Sequence, residues 1–128
     1  MTVGLDTSVV VRLLVGEPAA QADAARRLLA TGGPVAVSDL VVGEAYFALR
    51  HHYRVPHGKA LGALQGLLGD ARVHPTGVAR SVLAAMPDAE AAPGLMDRLI
   101  HGDYHRDGAD LVTFDQHAAR LAGARLLR

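Results

Sequence analysis

The sequence predicts an α/β domain, a three-layer sandwich in which helices cover a parallel sheet. Half of its residues are apolar but only 4% are aromatic, so the core has to be built from Ala, Val and Leu, which suits helices on a sheet. Its short apolar runs, VGL at residues 3–5 and VAV at 35–37, do not alternate with polar residues, which fits buried strands better than exposed hairpins. Helical segments separate them, and a strand–helix–strand order implies right-handed crossovers and parallel pairing. At 128 residues the chain is expected to form one domain over residues 1–128, long enough to bury a real core.

Composition excludes several function classes. Cysteine is absent, which removes disulfides, thiolate zinc sites and cysteine nucleophiles together. The N-terminus lacks a basic region, and Asp6 and Arg12 interrupt its apolar run, so neither a signal peptide nor a membrane span is expected and a cytoplasmic location is the default. Thirteen basic residues balance thirteen acidic ones, giving no overall pull toward nucleic acid. Lys59 is the only lysine; the other cations are arginines, which are better shaped to grip phosphates.

The organising stretch is TVGLDTSVVVRLL at residues 2–14. Residues 3–5 read as a strand, Asp6 closes it, and a helix opens with Thr7 or Ser8 as its N-cap. Gly16 and Pro18 break that helix, and a second runs over residues 19–30 until TGGP stops it. After strand 35–37, Ser38 caps a helix over residues 39–53. Pro56 ends that segment, and residues 57–68 form another helix with Leu61 and Leu64 inward. A short strand over 71–74 leads to a helix from Pro75 or Thr76 through Met86. Pro93 starts the last long helix, closed by Asp107 and Gly108 as a left-handed cap. Residues 109–114, ADLVTF, form a strand that delivers Asp115; 116–121 are a short helix and 124–127 a final edge strand.

Four acids stand out. Asp6 and Asp115 lie at the carboxyl ends of strands, where open α/β sheets place ligands. Asp97 sits in the first turns of the last long helix. That helix descends roughly 12 Å to His105 at about 1.5 Å per residue. The next strand climbs back about 16–20 Å at about 3.3 Å per residue, so Asp97 and Asp115 end near one level. Around Glu44 the positions three and four away are Leu40, Val41, Phe47 and Ala48, which places it in a buried stripe with need of a partner. The structural alternatives are that Asp6 is a turn residue and that Glu44 pairs with Arg50 or Arg12. If the four meet, two carboxylates ~5 Å apart repel by about 3 kcal/mol at an effective dielectric of ~20. Either some are protonated, or a hard cation sits among them. Oxygen-only ligands point to Mg²⁺ or Mn²⁺, one ion or two, and such a cluster suits phosphodiester cleavage.

The runs LDTSVVVRLL, GEAYFALR, LMDRLI and GADLVTFDQHAARLAGARLL, in this order and spanning the chain, resemble the PIN-domain ribonucleases, especially VapC-type toxins of toxin–antitoxin pairs. The resemblance implies a five-stranded parallel sheet of order 3-2-1-4-5 and a metal-dependent endoribonuclease. Asp6, Glu44, Asp97 and Asp115 would be its acidic ligands. Thr113 would stand beside the last acid, and Thr7 and Ser8 would line the metal or phosphate site. It further implies an RNA substrate, a homodimer, and a cognate antitoxin that inserts an arginine or occludes the groove.

Rival chemistries fit less well. His101-x-Asp103-x-His105 looks like a metal cluster, yet on a helix the two histidines share a face and Asp103 points elsewhere; His51-His52 is a second pair. A phosphoaspartyl nucleophile at Asp6 would want an acid two residues on, where Ser8 stands. The competing class is a catalytically inactive PIN-like module that binds nucleic acid or protein, which predicts loss of at least one acid. All four positions are filled.

Overall fold

A computed structural model describes residues 2–128. Strand β1 (Val3–Gly4) leads into α1 (Thr7–Val15) and α2 (Ala19–Thr31). β2 (Val35–Val37) is followed by α3 (Asp39–His51) and α4 (His57–Leu68). β3 (Val73–Pro75) precedes α5 (Ala79–Ala85) and α6 (Leu95–Arg106). β4 (Val112–Thr113), a 3₁₀ turn (Ala118–Arg120) and β5 (Arg125–Leu126) close the chain.

The strands are parallel, as the crossover argument requires. β2 lies between β1 and β3, with Val3 opposite Val35 and Val35 opposite Val73. Val35 and Val37 are fully buried, which is why this three-residue run holds as a strand. Helices α1 and α3 pack on each other, α1 also on α2, and α3 on α4 and α6. The core between them is aliphatic: Val10, Leu49, Leu64, Leu68 and Leu83 are all buried.

The single five-stranded sheet is not what forms. β4 pairs with β5 alone, Val112 opposite Arg125, as a separate two-stranded sheet. Residues 109–114 contain enough apolar side chains for a longer strand, but only two of them gain a ladder partner. Val112 remains exposed, so this segment lacks the two-sided burial that fixes a central strand.

Local chemistry sets the helix boundaries. The Ser38 hydroxyl accepts the Val41 N–H and caps α3, as its position predicts. The helix expected from Pro75 or Thr76 starts only at Ala79, because Thr76 N–H still bonds to Val37 in the sheet and the Asp39 carboxylate accepts from Val78 and Ala79 N–H. A Cβ at Gly77 would collide with that carboxylate, so glycine is required beside this cap. Asp39→Ala strands two N–H groups, and urea unfolding is expected to show a loss of about 1–2 kcal/mol; Asp39→Asn, which offers one acceptor oxygen where the carboxylate offers two, should recover only part of it.

Two other polar devices tie the layers. Tyr46 O–H lies 2.7 Å from Nδ1 of the buried His57, whose Nε2 lies 3.1 Å from the Pro87 carbonyl. A carbonyl only accepts, so Nε2 carries the proton and the Tyr46 hydroxyl donates to Nδ1. In the turn before β3, Asp70 accepts from Arg72 through its backbone N–H, Nε and Nη2. The side-chain bonds, then the backbone one, hold the Asp70 carboxyl down at about 2 against an ordinary 3.8. The folded carboxyl is the stronger acid, so its contribution is complete above the unfolded value and is lost as pH falls from about 4 through 2. Acid titration of Asp70→Asn, followed by circular dichroism, is expected to show a shallower loss of stability across that window.

Candidate functional site

The amino end of α1 and the outer face of α3 meet at Thr7 and Glu44. Asp6 occupies the N-cap position in extended backbone, and its carbonyl takes the first helical N–H bonds. Its carboxylate does not cap the helix; it accepts the Ser8 hydroxyl at 3.0 Å. Thr7, the first residue of α1, donates its hydroxyl to Glu44 Oε1 at 2.9 Å. Thr7 and Ser8 therefore position the two acids, a role different from the N-cap expected of them.

Glu44 is not in a buried stripe. α3 buries Val42, Gly43, Ala45 and Leu49, while Leu40 is 72% and Phe47 58% exposed and Glu44 faces solvent. The helix is rotated by about one position from the expected orientation, because its apolar residues nearly encircle it and several stripes compete. Neither expected ion pair forms: Glu44 takes a hydroxyl partner, and Arg50 is engaged by Glu90 at 2.7 Å.

Glu44 and Thr7 line a cavity of ≈610 Å³, closed on its far side by Gly94, Leu95 and Met96 at the start of α6. Asp97 lies one residue beyond that wall, half-buried in the first turn of α6. Asp115 follows β4, and its carboxylate accepts the N–H groups of His117 at 2.7 Å and Ala118 at 3.0 Å, starting the 3₁₀ turn. Those backbone bonds, Ala118's foremost, hold its carboxyl below the usual range. That direction is opposite to the rise expected of a carboxylate crowded by others. Thr113 fixes the same turn by accepting the Asp115 N–H at 3.0 Å.

Asp6 and Glu44 are thus brought to one edge with Thr7 and Ser8, while Asp97 and Asp115 are not drawn in beside them. Among the described residues no three His, Cys, Asp or Glu side chains converge to hold a metal ion. In its chemistry the donor set fits a hard divalent cation, since it comprises carboxylates and hydroxyls without a thiolate. What is lacking is convergence: Asp115 follows β4 on the separate two-stranded sheet, and Asp97 stays on the first turn of α6. His101 and His105 stack with ring centres 5.2 Å apart, sharing a face as their spacing predicts, and His101 contacts the Ala122 carbonyl. Asp103 pairs instead with Arg106 at 2.7 Å. Arg98 donates to the Pro93 carbonyl and bounds the start of α6.

Tyr46 and Phe47 carry no functional signal in the sequence, and His52 does so only as half of a histidine pair; all three line the Glu44 cavity. The four-residue spacing of Phe47 and His51 was the available clue, since it places their rings together on one helix face. A separate cavity of ≈330 Å³ between the start of α3 and α6 is lined by Leu40, Met96 and Ile100, and none of the four acids reaches it.

No curated protein matches the chain. Among solved structures it is similar to VapBC2 from Rickettsia felis bound to a DNA fragment from its promoter, with 17% identity and a TM-score of 0.42 over 99% of this chain and 98% of that one. That likeness is too weak to bear on chemistry. The PIN domain model matches residues 3–124, a span that takes in all four acids, and the chain belongs to the PIN domain family.

Proposed function

We propose that this chain is a divalent-cation-dependent endoribonuclease of the VapC type, the toxin of a toxin–antitoxin pair. The observation that carries this reading is the meeting of Thr7 with Glu44 beside Asp6 at the start of α1, in a chain that matches the PIN family over residues 3–124. Asp6, Asp97 and Asp115 would hold Mg²⁺ or Mn²⁺, and Glu44 would hold it or orient the attacking water. When bound, the ion lowers the pKa of that water and neutralises charge developing on the phosphoryl oxygens. Thr7 keeps Glu44 Oε1 at the α1 edge, Ser8 steadies Asp6, and Thr113 fixes the turn that presents Asp115. Pairing β4 along the free edge of β1 would complete the order 3-2-1-4-5 and carry Asp115 toward Asp6.

The partners follow from the same reading. RNA is the substrate, and a cognate antitoxin would inhibit by setting an arginine against the acids. A homodimer has an apolar face to use, since Leu40, Met96 and Ile100 are exposed around one cavity. No helix among the described residues is long and apolar enough to cross a membrane.

A second reading, a PIN-like binding module without activity, is favoured by the failure of three acids to converge. Titrating a divalent ion into purified protein and a structured RNA pool separates the two. Ion-dependent cleavage supports the nuclease; bound but intact RNA at every ion concentration supports the module.

A further inference from the structure

We propose that the outer face of α3 beyond Glu44 is a single-stranded RNA track, with Phe47 and His51 as a base-stacking platform and Arg12 and His52 receiving the backbone. The proposal rests on the RNA-cleaving reading of the same site and adds where the strand runs.

Phe47 leaves more than half of its surface in water, and its ring lies 4.3 Å from the His51 imidazole at an interplanar angle of 42°. Burying so large an apolar side chain would have been favourable, yet α3 turns it outward on the face that carries Glu44. An exposed ring pair offers a π-face, and stacking on such a face is tolerant of base identity.

The platform is continuous with the site. The ≈610 Å³ cavity holding Glu44 and Phe47 and the ≈510 Å³ cavity holding Ser8 and Arg12 share Thr7, Ala48 and His52, so they adjoin at the α1–α3 junction. A strand lying across both would pass Glu44, Phe47 and Arg12. Arg12 donates Nε to Gln21, leaving both terminal nitrogens without a partner among the described residues. His51, His52 and Arg54 add positive or protonatable groups at the exposed end of α3. Arg50 is not part of this set, being tied to Val55 and Glu90. Cations at a helix end also complement its dipole. That account covers His51 and His52 but neither the outward Phe47 nor the approach of Arg12 from a different helix. Cations interleaved with rings complement a phosphate chain carrying bases better than they do an apolar protein surface.

The test uses a short single-stranded RNA carrying 2-aminopurine, in EDTA so that no cleavage intervenes, with the full chain and its Phe47→Ala, Phe47→Trp and Arg12→Gln variants. Binding to the unaltered protein is expected to quench the fluorophore. Phe47→Ala should weaken binding roughly tenfold or more and lose the quench, as removal of one stacking partner predicts. Phe47→Trp should restore both. Arg12→Gln should weaken binding with the quench kept and flatten the salt dependence. Phe47 is exposed, so a melting curve matching that of the unaltered protein verifies the fold. The proposal is overturned if Phe47→Ala binds and quenches unchanged. It is equally overturned if that variant alters only the oligomeric state on a sizing column, which would give the face to a second copy, or if the unaltered protein does not bind the RNA. Cleavage with Mn²⁺ is scored separately. RNA that is stacked but never cut defeats the nuclease and leaves the track; RNA that is cut without any effect of Phe47 does the reverse.

Discussion

Asp6→Asn is expected to cut RNA cleavage at least about 100-fold while leaving the melting temperature nearly unchanged. The first half follows from charge: a ligand to a divalent ion supports several kcal/mol of transition-state stabilisation, and an amide oxygen supplies the donor atom without the charge. Tenfold in rate corresponds to about 1.4 kcal/mol, so losing about 3 kcal/mol of that support amounts to two decades. The second half follows from the structure. Asp6 is exposed, its side chain does not cap α1, and an asparagine can still accept the Ser8 hydroxyl. The charge lost at the amino end of α1 gives up only about 0.3–1 kcal/mol of attraction to the helix dipole. Single-turnover cleavage alongside a melting curve checks both, and full activity in the variant would remove Asp6 from the site.

Leu49→Ala is expected to cost about 2–5 kcal/mol, a large share of the about 5–15 kcal/mol that holds a domain of this size. Leu49 is 2% exposed beneath the face of α3 that carries Glu44, among the largest buried side chains. Leu40→Ala, on the same helix but 72% exposed, should stay within about 0.5 kcal/mol. Denaturant unfolding of the pair measures how α3 divides its duties. Equal losses in the two variants would mean that Leu40 belongs to the core after all.

That pair also marks where the sequence was legible and where it was not. Local chemistry reads well: Ser38 caps α3, α4 runs from His57 to Leu68, and Gly108 adopts a positive φ at the end of α6. Parallel pairing followed from helices separating short apolar runs, and the order β1-β2-β3 bears that out. The rotation of α3 was harder, because Leu40, Val41, Val42, Ala45, Phe47, Ala48 and Leu49 leave little polar contrast to orient it. Apolar residues on both sides of Glu44 looked like a buried stripe, whereas only one side faces the core. β4 fails for a different reason. Residues 109–114 have the composition of a strand, but pairing is a property of two segments, and composition does not reveal which segment a strand meets: β4 pairs with β5 and leaves the edge of β1 open. The candidate site inherits both difficulties. Asp6 and Glu44 are each held by a hydroxyl of neighbouring residues at the start of α1, whereas Asp115 follows β4 on a separate sheet and no β1–β4 ladder draws it in.

The most direct test of the account is the chemistry of the ends left on cut RNA. Purified protein incubated with structured RNA and Mn²⁺ should leave 5′-phosphate and 3′-hydroxyl termini, as attack by an activated water requires, and EDTA should abolish them. Termini bearing 2′,3′-cyclic phosphate, or cleavage that continues undiminished in EDTA, would contradict it.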